Sequence, residues 1–417
     1  MIAISLSPNT QTDDILQAFK VLLKPWTWKT GEKVLEVEEW FKNYLDTSTA
    51  VSFNSGRSAM YSLLKSFGIG DGDEVIIQAF TCLALPEVIK WLSAVPKYVD
   101  IDETLNIDFK LLEKSISPKT KAIIVQHTFG IPAKMDLITK ITQKYNLILI
   151  EDCAHAIGSS YQGKKIGTFG DAAFFSFGRD KVISSVFGGM AVINEKSLSI
   201  KGSHYQQGKI KNAKMTLLEF RKTLSYPTNY WIFQQLFHPL AFALILPLYQ
   251  IGLGKMLLVF LQKLNLLSFP ISEEEKRGQK PEIFPSLYPN ALALLLSNQL
   301  KKLDRLNLHR KEIAKNYFTK LSKRKNILLP PKIDGAIYLR FNILVKNAKI
   351  LREAAQKKGM LLGNWYHNII DPQGSLGVSG YPIGSCKKAE EISVKSLNLP
   401  TNISVKLDDV DKIVSLI

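Results

Sequence analysis

The sequence predicts an α/β protein with a large domain, built on a mainly parallel sheet flanked by helices, and a smaller C-terminal α/β domain. Three observations carry this. Short β-branched runs alternate with amphipathic stretches between residues 50 and 193. Those runs are apolar along nearly their whole length, as strands covered on both faces must be. A second, shorter alternation resumes at 337 and closes the chain.

In order, strands are expected over 50–53, 74–78, 96–99, 122–126, 147–151, 172–176 and 190–193, with helices over 58–67, 83–93 and 135–145 among them. The stretch 209–214 is basic, and 230–269 is strongly apolar. Pro239, Pro247, Gly252 and Gly254 interrupt the apolar stretch, and Lys255 and Lys263 punctuate its second half. A membrane span needs roughly 20 apolar residues with few breaks, so these interruptions predict shorter helices. A charged run over 272–282 follows, then a long helix over 291–324, a strand over 337–345 and helices over 348–358 and 407–417. The expected division is an N-terminal segment 1–30, a large ligand-binding domain 31–202, an apolar helical insertion 203–285, and the long helix with the small domain over 286–417. The insertion faces either a membrane or an interface.

With 417 residues, 46% hydrophobic and 22% charged, the composition is that of a globular protein and excludes a disordered chain. The formal net charge of +17 favours anionic partners, although a solvated basic surface would read the same way. No zinc spacing or nucleic-acid module accompanies it, which ranks nucleic-acid binding last. Three widely spaced cysteines, Cys82, Cys153 and Cys386, suit a reducing cytoplasm, and the first 20 residues lack a signal-peptide pattern. No metal site is expected.

Three segments sit where strands end, which is where α/β sheets bind ligands. Asn54-Ser55-Gly56-Arg57-Ser58 joins a strand to a helix, so its backbone N–H groups could meet a phosphate, or its serines could simply cap the helix. Glu151-Asp152-Cys153-Ala154-His155 ends a buried strand; Asp152 could face a cationic ring or cap the next turn, and His155 could be a packed core histidine. Ser176-Phe177-Gly178-Arg179-Asp180-Lys181 precedes a Gly188-Gly189 turn; an amine there is nucleophilic if desolvated, or is a solvated loop lysine.

In order and spacing, these segments resemble the DegT/DnrJ/EryC1/StrS family of pyridoxal-phosphate (PLP) sugar aminotransferases, which have the aspartate-aminotransferase-like type I fold. The carrying stretches include SFNSGRSAMYSLL, ILIEDCAHAIGSSYQGKKIGTFGDAAFFSFGRDK and, near the end, VKSLNLPTNISVKLDDVDKIV. The resemblance implies that Lys181 carries PLP as a Schiff base and moves protons, and that Asp152 pairs with the ring nitrogen. It also implies that His155 lies near the ring hydroxyl, and that Gly56, Arg57, Ser58 and Ser176 hold the phosphate. The implied reaction passes an amino group, from glutamate, to a keto-sugar, in a homodimer.

The chain departs from the family pattern in places. Cys82 follows Thr81 where relatives often have a stacking aromatic residue, leaving Phe80 or apolar contact by Cys82 for the ring. Phe284 to Tyr288 replaces a segment that relatives give to the neighbouring subunit, with Asn290 as a stand-in. Asn364-Trp365-Tyr366-His367 replaces another, pointing to Tyr366 and His367 as substrate contacts. The apolar insertion adds an expectation of peripheral contact with the inner face of a membrane through 230–269. The rivals are a PLP-dependent sugar dehydratase or lyase, and a non-catalytic binding protein on the same fold.

Overall fold

The seven apolar runs become β1 (Thr49–Phe53), β2 (Glu74–Gln78), β3 (Val95–Val99), β4 (Thr120–Gln126), β5 (Ile148–Asp152), β6 (Ala172–Ser176) and β7 (Gly189–Ile193). In the computed structural model, which describes residues 2–195 and 204–417, they form one sheet in the order β1-β7-β6-β5-β4-β2-β3. Only β7 runs against the others, pairing antiparallel with both β1 and β6. Alternate side chains enter opposite cores: Ile76 packs into one layer and Val75 and Ile77 into the other. The principal helices are α1 (Thr12–Leu22), α2 (Lys33–Leu45), α3 (Gly56–Ser66), α4 (His204–Lys222), α5 (Asn229–Leu248), α6 (Leu253–Lys263), α7 (Asn290–Leu300) and α8 (Leu303–Leu321). Helices α2 and α7 cover one face of the sheet, and α3 and α4 the other.

The helix expected over 291–324 is two helices. Its break at Lys301–Lys302 coincides with Gln299 and Lys302 reaching Asp14 on α1, each with a shortest contact of 2.7 Å. The small domain carries the antiparallel pair β8 (Arg340–Leu344) and β9 (Ser396–Pro400) over its own core, centred on Tyr317, Phe341 and Leu397. The first 30 residues tie the parts together. Ile2–Ala3 pairs with Met360–Leu361 of the small domain, and α1 packs on α5 and α7.

The predicted boundary at 202/203 lies outside the described residues. Beyond it, α5 runs unbroken through Pro239 and Pro247, and the chain turns only at Gly252, whose φ is 88°. Helix α5 is long and apolar enough to cross a membrane, but half of it is buried within the protein. Gly254 lets α6 pack back on it, since a Cβ there would lie 2.2 Å from the Ile245 carbonyl oxygen. The segment after α6 then returns to the sheet edge. There Asn54 bonds the backbones of Ile283 and Ser286, and Arg57 on α3 forms a buried ion pair with Glu275.

Two buried polar groups fix the loops at that edge. Glu151 is fully enclosed, and its carboxylate accepts the N–H groups of Gly167, Phe169 and Gly170 at 2.7–2.9 Å. His127 Nδ1 accepts from Ala133 N–H, so its proton is on Nε2, which donates to Glu151 at 3.2 Å. With Cys153 these two residues have metal-like spacing, but their bonding capacity is already engaged. Arg310 of α8, also fully buried, donates to Asn307 Oδ1, Asn9 Oδ1 and the Val182 carbonyl at 2.6–2.9 Å. Asn9 in turn donates to the carbonyl of Lys181 at 2.6 Å.

Arg310→Met strands several buried acceptors, and is expected to lower stability by about 3 kcal/mol in urea unfolding. Glu275→Gln leaves Arg57 unpaired, and is expected to speed trypsin cleavage after Lys276 or Arg277 by at least about tenfold, read by mass spectrometry.

Candidate active site

Register brings the chemistry to one edge. Gln126 aligns with Asp152, Asp152 with Phe174, and Ser176 with Gly189, which aligns in turn with Phe53. The loops leaving these positions enclose a cavity of about 320 Å³, large enough for a small cofactor. Gly56 is required there, because a Cβ would stand 2.8 Å from Ser176 Cβ. Gly189 is required too: its Cβ would fall 2.3 Å from the Ser55 carbonyl oxygen.

On the α3 side, Ser55 is the helix cap, with its hydroxyl accepting Ser58 N–H at 3.0 Å. The first N–H groups of a helix have no intrahelical acceptor, so those of Gly56 and Arg57 remain for an anion. Ser58 itself does not reach the cavity: it is fully buried and its hydroxyl donates to Asn54 Oδ1 at 2.6 Å. The Arg57 side chain lines the rim, but it is held by Glu275, by the Pro270 carbonyl at 2.9 Å and by the face of Phe284 at 4.5 Å.

From β5 comes Asp152, buried, with Oδ1 accepting Ala154 N–H at 2.9 Å. Burial pushes its carboxyl up, while Lys181 and His127 pull it down. His155 lies 3.0 Å from Lys181 Nζ through Nε2, and its Nδ1 accepts Phe129 N–H at 3.4 Å. Its ring lies near-parallel to those of Phe129 and Trp365, with centroids 6.0 and 5.3 Å away. Desolvation lowers the Lys181 amine and holds His155 well below the usual histidine range.

From the small domain come Asn364, Trp365, Tyr366, Asp371 and Pro372. Pairing of Ile370–Asp371 with Thr81–Cys82 docks this loop and sets Cys82 into the cavity wall. Two expected contacts are not brought in. Phe80 is fully buried at φ 63°, edge-on to Phe129 and Tyr366, because the turn into the short Thr81–Cys82 strand points it into the packing behind the cavity. His367 lies outside the lining, on the side of Arg352 and Lys349.

Several lining residues escaped the sequence reading. Arg179 and Asp180 belong to the lysine motif but read as a solvated loop, and Trp365 is adjacent to the expected Tyr366. Pro270 and Ile271 come from the insertion, with no local signal. Arg179 Nη2 donates to Ser268 Oγ at 2.5 Å, which gives the insertion a second hold on the site. Arg179 Nε and Asp180 Oδ1 are buried without a hydrogen-bond partner, as groups awaiting a polar ligand would be.

Comparison with known proteins identifies the family and the fold. Residues 9–218 and 288–417 match the DegT/DnrJ/EryC1/StrS aminotransferase family, leaving 219–287 between the two matched stretches. A GDP-perosamine synthase of Caulobacter vibrioides is 39% identical over 177 residues, 42% of this chain and 48% of that protein. The spore coat polysaccharide biosynthesis protein SpsC of Bacillus subtilis is 36% identical over 195 residues, 46% of this chain and 50% of that one. The chain thus spans about half the length of the curated relatives it matches. The fold extends further. The putative sugar aminotransferase Spr1654 of Streptococcus pneumoniae superposes with a TM-score of 0.73 at 20% identity, covering 98% of this chain and 95% of that one. The aminotransferase PseC of Helicobacter pylori gives 0.71 at 21% identity, covering 100% and 97%. The fold is therefore type I, and the chain belongs to the DegT/DnrJ/EryC1/StrS aminotransferase family.

Proposed function

We propose that this chain is a PLP-dependent aminotransferase that moves an amino group from glutamate to a keto-sugar, nucleotide-linked or in a polysaccharide pathway. The observation that carries the reading is the meeting of Lys181, Asp152, Gly56 and Ser176 around one cavity. The residues fit the cofactor. The Gly56–Ser176 cradle has no room for a Cβ, the adjoining helix end offers N–H groups to a phosphate, and the buried carboxylate of Asp152 suits a cationic ring nitrogen.

When bound, PLP supplies the electron sink that makes the bonds at the substrate carbon labile. Asp152 would be the residue to hold a protonated ring nitrogen, and a positive charge there would oppose the upward push of burial on its carboxyl. Lys181 Nζ is the amine that reaches the cavity, and it takes and returns the proton at the substrate carbon. Its lowered basicity suits the first half of this, because a lysine must be unprotonated to take a proton. Trp365 and Tyr366 exclude water on one side, and Pro270 and Ile271 do so on another.

The type I fold supports a homodimer as the working assembly, and the cysteine content supports a cytoplasmic site. Peripheral contact with an acidic membrane is supported by α6. Leu253, Met256, Val259 and Phe260 are at least half exposed on it, flanked by Lys255 and Lys263, and no carboxylate occurs between Glu219 and Glu273.

Added PLP is expected to give wild type a visible absorption band that glutamate bleaches, and Lys181→Ala to lack the borohydride-stable adduct. Asp152→Asn should bind PLP yet respond to glutamate about 10²–10³-fold more slowly. A band indifferent to amino donors would favour a dehydratase or lyase, and no cofactor binding would leave a binding protein. The chain is also expected to co-sediment with phosphatidylglycerol vesicles at low salt, and Met256→Glu with Phe260→Glu to abolish this. If those substitutions instead dissociate a dimer, a second copy covers α6.

A further inference from the structure

We propose that His155 is a positioning residue that donates a hydrogen bond from Nε2 to Lys181 Nζ and so holds the lysine as a free amine whenever it is not bonded to the cofactor. The proposal rests on the reading of Lys181 as the cofactor's lysine.

The argument is one of proton count. Phe129 N–H points at His155 Nδ1, so that nitrogen carries a lone pair and the proton of the neutral ring is on Nε2. Nε2 is the atom 3.0 Å from Lys181 Nζ. Since Nε2 donates, Nζ must accept, and only an uncharged amine has a lone pair to accept with. Turning the ring over would not reverse these roles, because it would put a carbon in place of Nδ1 against Phe129 N–H and in place of Nε2 against Nζ, losing both contacts.

The surroundings are consistent with a neutral pair. Around Nζ the charged or titratable groups are Asp152 at the end of β5, Cys82 beside the small-domain loop, Asp180 on the lysine's own loop and Arg340 on β8. The carboxylates favour the ammonium; burial and Arg340 oppose it, and they prevail. Burial, Lys181 and Arg340 together disfavour a charged His155. The same donor also has a use in turnover. A Lys181 not bonded to the cofactor would have to be unprotonated to act as a base or to bond it again.

The test compares wild type with His155→Gln, which keeps an N–H donor, and His155→Phe, which keeps the packed ring but has none. Reductive methylation with formaldehyde and cyanoborohydride, followed by peptide mass spectrometry across pH, reads the free-amine fraction at Lys181, with surface lysines in the same digest as the internal standard. His155→Phe is expected to slow Lys181 labelling at neutral pH by about tenfold and to shift its midpoint up by about one pH unit, as loss of one hydrogen bond implies. His155→Gln should restore most of the wild-type profile. Equal profiles in all three proteins, or a faster reaction in His155→Phe, would overturn the proposal. Because formaldehyde needs no cofactor site, a lysine that labels as expected in a protein that never binds PLP would refute the functional reading and leave this one standing.

Discussion

A buried guanidinium with no carboxylate partner is an expensive thing to place in a protein interior, and the rest of this structure is arranged around one. The two Nη atoms of Arg310 meet only neutral oxygens, from the N-terminal segment, its own helix and the lysine loop, and its Nε is buried without a partner. Each of those oxygens belongs to a different part of the chain, so the charge is tolerated only when all three parts have arrived. Desolvation pulls its pKa down to about 9, which measures how much the surroundings would rather not hold it charged. The return is positional. Through Asn9 and the Val182 carbonyl, the group fixes the backbone of Lys181, which loop sequence alone would leave free to move.

Glu151 does the same for the neighbouring loop from inside the sheet. Three backbone amides and the His127 proton converge on one carboxylate, and the chain between 151 and 170 must bend to deliver them. Asp152 and His155 stand on that bend. The groups that line the cavity are thus held by a second set of polar residues that do not touch it, a division of labour that lets the lining groups keep unsatisfied bonding capacity.

The fold was legible in the sequence because strands buried on both faces must be apolar throughout, and each of the seven was found within about two residues of its ends. The loops that carry Lys181, Asp152 and Gly56 were legible for a related reason, since α/β sheets deliver strand ends to one edge, while the roles expected of those residues came from the family resemblance. What stayed hidden depends on contact at a distance. Phe80 sits next to the right loop, yet it turns inward because Ile370–Asp371, nearly 300 residues later, claims the backbone beside it. Ser58 looked like a phosphate ligand until Asn54 took its hydroxyl. Pro270 and Ile271 carry no motif, and distant contacts bring them to the cavity: Arg57 with Glu275 and the Pro270 carbonyl, and Arg179 with Ser268.

That docking makes the cavity a composite of segments scattered from residue 55 to residue 372. The sheet domain alone supplies only part of the lining, and the insertion and the small domain close the rest, so a partly folded chain offers a ligand an incomplete cavity. A ligand that recognises only the finished structure draws the population toward it by mass action. Contacts of such high sequence separation also form late, after loop-closure entropy has been overcome. Cofactor supply during synthesis would therefore act on the yield of native protein as well as on its activity, with occupancy of the cavity serving as the signature of a completed chain.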